Sequence, residues 1–344
     1  PNGAHRCVDR RSSVLLCTNV LRNGTGVIGW LPALLWAGLG SGANVRPTSS
    51  EFLRGAFYGL AAVGLWASWI VAVRFGITTN LTPWDITALR FAVAGSIMLP
   101  YLLRKGLGID RLGGMGLLAI MLGGGAPMVL VAYGGLLFAP AAHAASLFTA
   151  CIPLIVAILA AILLGEAFTR AKRLGLVLIV IGVVGIVWGA SGTIGTRQNI
   201  GHAMFIAAGV LWACYTVAMR KARLDGLHAA AIAAVGSLIF FVPVYAAFSG
   251  TVLFDASWED IALQAFVHGI LVAIVSLVCF GRAVAILGAS SGSVFAALCP
   301  AITALAAIPI LGEWPTFVDW GAMLMISAGV YVASGAPLPR WRAA

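Results

Sequence analysis

Charge is scarce in this sequence. Only 9% of its 344 residues are Asp, Glu, Lys or Arg, against about 25% in a soluble globular chain. A water-soluble fold of this length would lack the polar groups to cover its surface. Signatures of chemistry are scarce as well. Six cysteines (Cys7, Cys17, Cys151, Cys214, Cys279, Cys299) are scattered with no CxxC spacing, so neither a disulfide framework nor a zinc site is expected. No GxxxxGK[ST] run is present, so ATP is not expected to drive the protein. HExxH and paired acids inside apolar runs, which a membrane-embedded enzyme would need, are also missing. The chain is expected not to be an enzyme and to hold no cofactor or metal. Two motif matches are chance. "GTGVIG" (24–29) fits GxGxxG without a βαβ unit, and "GASSG" (288–292) fits GxSxG without an elbow or triad partners.

What the chain has is apolar length. Hydrophobic residues make up 61% of it, in long continuous runs rather than the alternating segments of a barrel. A bilayer-crossing helix needs roughly 20 such residues. Ten spans are expected: 54–75, 83–103, 113–137, 141–164, 171–189, 201–219, 227–248, 260–284, 289–311 and 316–336. Short loops between them predict an antiparallel bundle, and the 42 glycines suit close helix contact in lipid. The fold class is therefore an all-α integral membrane protein.

The net charge of +10 is distributed by side, not gathered for nucleic acid. Arg104, Lys105, Arg111, Arg170, Lys172, Arg173, Arg220, Lys221, Arg223, Arg282, Arg340 and Arg342 fall on one side. Only Arg74 and Arg197 fall on the other, with Asp255, Glu259 and Asp260. The positive-inside rule then places both ends of the ten-helix unit in the cytoplasm of a bacterial inner membrane, with the basic loops against anionic lipid.

Shifting the chain by 147 residues lays 142–166 over 289–313 with eleven identities in 25 positions. They include Ser146/Ser293, Phe148/Phe295, Pro153/Pro300 and the corner Leu-Gly-Glu at 164–166 and 311–313. A shift of 146 lays "GLWASWIVAVR" (64–74) over "VLWACYTVAMR" (210–220). Each half holds five spans, an odd number, so the second half must enter the membrane inverted. The same corner then lies among basic residues at Glu166 and away from them at Glu313. Inverted repeats of this kind are typical of secondary transporters, with the solute site near the midplane. The expected organisation is 51–192 as the first repeat, 198–337 as the second, and 338–344 as a cytoplasmic tail.

With these residues in view, the chain resembles the EamA-type transporters of the drug/metabolite transporter superfamily. The resemblance rests on the two units Pro153 to Glu166 and Pro300 to Glu313, on the Leu-Trp-Ala starts at Leu65 and Leu211, and on Arg90. It covers about 51–337. It implies two EamA repeats, a central cavity, alternating access and export of small metabolites such as amino acids or their derivatives. Efflux of hydrophobic or cationic drugs is the alternative. The lack of a carboxylate inside the spans weighs against a simple glutamate-based proton/drug antiporter. Exchange, proton coupling or facilitated movement remain as energy sources. A ten-helix unit can enclose its own pathway, so a monomer is favoured.

Each site residue carries two readings. Arg90 either anchors a substrate carboxylate through its guanidinium fork or packs against backbone carbonyls or Asp85. Trp66 with Trp69, and Trp212 with Tyr215, either wall a cavity or face lipid or pack between helices. Ser146 and Ser293 bond solute or another helix. His143 and His268 carry a proton or line a vestibule. Pro153 and Pro300, both placed mid-helix, are gating hinges or static kinks. Gly165, Glu166, Gly312 and Glu313 form corners in which each glutamate is expected to serve the helix that follows it. Residues 1–50 stand outside the repeat and are expected to be disordered or to reflect a start placed too early. An eleventh span over 24–43 would put Arg6, Arg10 and Arg11 on the wrong side.

Overall fold

A computed structural model describes residues 49–79, 81–165, 168–191, 196–248, 252–287 and 295–334. All of them fall in one compact unit. The first repeat comprises α1 (Ser49–Thr78), α2 (Pro83–Lys105), α3 (Ile109–Gly124), α4 (Ala126–Gly135), α5 (Ala141–Leu164) and α6 (Arg170–Ser191). The second comprises α7 (Thr196–Lys221), α8 (Gly226–Phe248), α9 (Trp258–Gln264), a π-helical stretch Ala265–Val275, α10 (Ser276–Leu287), α11 (Cys299–Leu311) and α12 (Phe317–Ala333). Since α3 runs into α4, and α9 through the π-helix into α10, each repeat has five spans. Among the described residues, eight spans are long and apolar enough to cross a bilayer, and α11 and α12 are shorter.

Local chemistry sets the ends. Thr82 and Thr316 cap α2 and α12 through reciprocal boxes with Asp85 and Asp319, and Pro83 occupies the first turn of α2. The repeated Leu-Gly-Glu corner is a helix stop. Gly165 and Gly312 both lie in the left-handed region (φ 68°), and their N–H groups reach back to Ala160 O and Ile308 O. A side chain there would clash with its own backbone, which is why both copies keep glycine.

Packing crosses the repeats. The main partners are α6 with α12, α2 with α8, α5 with α7, α1 with α10 and α11, and α3 with α7. Equivalent helices pair with each other (α2/α8, α6/α12, α5/α11). The exchanged pairs, α1 on α10 and α11 and α7 on α3 and α5, are mirror choices of one pattern. The α6–α12 seam is backbone-close. A Cβ at Gly175 would sit 2.4 Å from Ala333 N, and one at Gly182 2.8 Å from Ala322 O. Small residues at such seams let helices approach where lipid offers no hydrophobic drive.

Two spans are irregular at equivalent places. Between α3 and α4, Gly125 is extended (φ −98°, ψ −162°) and Pro127 follows it. Ser237 of α8 accepts the freed Ala126 N–H at 2.9 Å and donates to Ala233 O at 2.8 Å. Its partner span in the second repeat carries the π-helix. Irregular backbone survives at membrane depth only where protein supplies the missing bonds.

The ninth span departs from expectation. Its regular helix begins at Cys299, so Pro300 stands in the first turn of α11 rather than mid-helix, while Pro153 is inside α5. The ring of Pro300 is accommodated where no carbonyl of a preceding turn needs its N–H. Ser293, Glu166, the tail 338–344, the 24–43 segment and both chance motifs lie outside the described residues.

One end of the bundle gathers Arg104, Lys105, Arg170, Lys172, Arg173 and Lys221. The other gathers Asp85, Glu259, Asp260, Glu313 and Asp319. They are called here the basic and the acidic end.

Candidate functional site

Three polar groups meet between the repeats. Arg90 on α2 donates from Nη1 to the Tyr133 hydroxyl on α4 at 3.2 Å, and that hydroxyl lies 2.9 Å from Nδ1 of His268 in the π-helix. Tyr133 and His268 are fully buried. Arginine can only donate. The tyrosine oxygen therefore accepts from it and is free to donate to His268 Nδ1, which leaves a proton on His268 Nε2. That Nε2 and Arg90 Nε are both buried without a hydrogen-bond partner. In that tautomer, Arg90 Nε and His268 Nε2 are two donors left without a partner at this point. Buried donors are costly to leave open, and the groups that satisfy two of them best are anionic oxygens.

Aromatic rings extend from this point across the molecule. Trp69 stacks on Tyr133 with centroids 5.6 Å apart and meets Phe148 edge-on at 6.2 Å. Phe148 meets Trp212 at 6.3 Å, and Trp212 meets Tyr215 at 5.0 Å. The row joins α1, α4 and α5 of one repeat to α7 of the other. Trp66 is not in it and packs on Phe280 at 5.0 Å. Tyr215 closes the far end against the α3–α4 break: a Cβ on Gly123 would lie 2.2 Å from Leu211 O, and one on Gly124 2.8 Å from the Tyr215 ring. An apolar groove of about 870 Å³, between Leu81, Trp84, Leu130 and Phe138, contains none of these polar groups.

A second cluster sits at the acidic end. His143 on α5 bonds Asp319 of α12 through Nε2 at 3.0 Å. Its Nδ1 faces His202 Nε2 at 3.0 Å and Gln198 Nε2 at 2.9 Å, both on α7. All four are buried. Beside it, Glu313 pairs with Arg74 Nε at 2.8 Å and accepts the Ala141 N–H at 2.8 Å, and Arg74 also donates to Leu136 O at 2.5 Å.

Several expectations are corrected by these contacts. Arg90 is held by Tyr133, not by Asp85 or a carbonyl. Asp85 instead accepts from Thr82 and from the Tyr245 hydroxyl. Glu313 does not serve the helix that follows it. It caps α5, a helix of the other repeat, because Pro140 at that helix's N-cap offers no side-chain oxygen for the Ala141 N–H. Ser146 is buried and donates its hydroxyl to Ala142 O on its own helix at 2.7 Å, not to another helix. Tyr133, Phe148, Gln198, His202 and Asp319 were not anticipated. Gln198 and His202 stand one turn apart at the head of an apolar run, and Asp319 is the acid of a Thr-x-x-Asp cap; both signals are readable in the sequence.

The comparisons agree with this architecture. The model of the EamA-like transporter family matches residues 53–188 and again 199–335. A protein of Bacillus subtilis (strain 168) named "Uncharacterized transporter YyaM" is 30% identical over 191 residues, which is 53% of this chain and 61% of that protein. The match therefore spans less than two thirds of that relative. A solved structure described as "Crystal structure of protein" superposes with a TM-score of 0.53 at 22% identity, over 83% of this chain and 97% of its own, a likeness of fold. Two matches to one family, one per repeat and together covering most of the chain, place it: the protein is a multi-pass membrane protein of the EamA-like transporter family.

Proposed function

We propose that this protein is a secondary transporter that exports small carboxylate-bearing metabolites, such as amino acids or their derivatives, by alternating access between its two repeats. The observation that carries the reading is the pair of unsatisfied buried donors, Arg90 Nε and His268 Nε2, joined through Tyr133 across the repeats. A solute carboxylate would meet them, and the faces of Trp69, Phe148 and Trp212 offer apolar and cation–π surface to the rest of an amino acid. The fixed positive charge of Arg90 disfavours a hydrophobic cation at the same place, so drug efflux ranks second. The protein's place in this reading is the bacterial inner membrane, with the basic end cytoplasmic and one chain as the working unit.

The test is flux in proteoliposomes against a panel of amino acids and nucleosides. Arg90→Ala should raise KM for the transported solute by about tenfold or more, since each tenfold corresponds to about 1.4 kcal/mol. Flux that Arg90→Ala leaves unchanged removes Arg90 as the anchor. A panel in which nothing moves down an imposed gradient refutes metabolite export.

A further inference from the structure

We propose that His143, His202, Gln198 and Asp319 form a proton-binding site whose occupancy sets whether the acidic end of the seam between the repeats is closed. The role given to the proton rests on the transporter reading above; the site itself rests on its own geometry.

Three buried groups from two helices, Asp319 of α12 and His202 and Gln198 of α7, converge on the His143 imidazole of a third. Asp319 Oδ2 accepts from the Thr316 N–H and hydroxyl at 2.8 Å each, and Oδ1 takes the His143 Nε2 bond. With Nε2–H donating to that carboxylate, His143 Nδ1 is a bare acceptor toward Gln198 and His202. Two groups are then stranded: Gln198 Oε1 and His202 Nδ1 are buried with no hydrogen-bond partner. Both are acceptors, the one by nature and the other because His202 Nε2 holds its proton. A cluster with a carboxylate and two unused acceptors is built to receive a proton.

The step balances within the cluster. A proton arriving at His202 Nδ1 releases the one on His202 Nε2 to His143 Nδ1, 3.0 Å away. His143 becomes an imidazolium beside the Asp319 carboxylate. The Gln198 amide turns its stranded oxygen to the new His143 Nδ1–H; amide oxygen and nitrogen exchange by rotation alone. The cluster goes from one negative charge to none, which suits a water-poor surrounding. His143 uses both ring nitrogens on its neighbours, so the ligand is a proton and not a metal ion.

Occupancy acts on the seam because the four groups straddle it. His143 belongs to α5 of the first repeat, His202 and Asp319 to α7 and α12 of the second. Loading turns a bond in which only the carboxylate is charged into an ion pair between imidazolium and carboxylate, adding Coulombic attraction, and so ties α5 to α12. Two residues before His143, Glu313 holds the Ala141 N–H and Arg74, so the same helix start is clamped from both sides. The titratable groups facing the cluster are His202 from α7 and Asp319 from α12, and each acts electrostatically on the others. From α1 and the α11–α12 link come Arg74 and Glu313, already paired with each other.

The experiment uses the full chain in lipid nanodiscs and needs no solute. Proton uptake is titrated between about pH 8 and pH 5, the range in which imidazoles charge, for wild type, Asp319→Asn and Asp319→Glu. Both substitutions leave both histidines in place, and either side chain can still accept the Thr316 N–H. Hydrogen exchange of the 141–146 backbone, corrected for intrinsic rate, is followed at both ends of that range. Wild type should bind about one proton more per chain than Asp319→Asn and show slower exchange of 141–146 at the acid end. Asp319→Glu should recover both effects. Uptake that Asp319→Asn leaves intact, or wild-type exchange independent of pH, overturns the proposal. Failure of the flux panel counts against transport alone, because neither of these readouts uses a transported solute.

Discussion

At the residue scale, the same chemical problem is solved repeatedly: a polar group inside an apolar bundle must find a partner on another helix. Glu313 shows how much one side chain can carry. It neutralises Arg74 and closes an open helix start at Ala141. Glu313→Ala should lower stability by about 2–4 kcal/mol, combining an unpaired N–H with a broken ion pair that is still partly wet. Glu313→Gln keeps an oxygen for Ala141 and should lose about half as much. Apparent Tm of the detergent-solubilised protein ranks the two, and equal losses would mean that the Ala141 bond contributes nothing. The role of Glu313 was half legible. The repeat marked its corner, but its partners lie 239 and 172 residues away along the chain, and no local pattern encodes such a distance. Arg90 was singled out as a charge within a span and as one of the residues that carry the family resemblance. Its partner Tyr133 was not, because a tyrosine in an apolar run looks the same whether it packs or relays.

At the element scale, the irregular backbone in two equivalent spans, a break in one and a π-helix in the other, is the feature that regular helix geometry does not explain. The α3–α4 break is held by one serine. Ser237→Ala would strand the Ala126 N–H in the bundle interior at a cost of about 1–3 kcal/mol. That loss should appear as a lower apparent Tm and as faster hydrogen exchange confined to 121–130. An unchanged exchange pattern would show that the break is stabilised by packing of Gly123 and Gly124 on Tyr215 instead. Helix existence was readable from hydropathy, and most span ends lie within a few residues of expectation. The misjudged elements were those where glycine and proline decide. "GGGAP" at 123–127 permits a break without requiring it, and Pro300 was placed mid-helix by the expected span 289–311, whereas it stands in the first turn of α11.

At the scale of the whole molecule, the inverted repeat has a direct geometric consequence. Corresponding corners must face opposite compartments, although they descend from one sequence. Single cysteines placed at Lys172 and Trp314 in a background without the native cysteines should therefore react with an impermeant maleimide from opposite sides, Lys172 from the cytoplasm. Labelling of both from one side would end the two-repeat account and with it the seam. Because the strongest helix contacts join one repeat to the other, the seam is also the core. Any solute path along it must part surfaces that otherwise hold the fold together, which is why the polar clusters at Arg90 and His143, both bridging the repeats, are the places where occupancy can influence shape.

Composition, span length, charge asymmetry and internal repetition are all properties that the chain carries locally or by simple periodicity. Lipid solvent, ten spans and two inverted halves follow from them without coordinates, while the likeness to a transporter family rests on particular residues such as the two Leu-Gly-Glu corners. The partners do not. Arg90 with Tyr133 and His268, His143 with His202 and Asp319, and Glu313 with Arg74 and Ala141 are each assembled from helices far apart in sequence. In an apolar bundle many side chains satisfy the same hydropathy pattern, and only the packing of one helix against another decides which few polar atoms come within bonding distance.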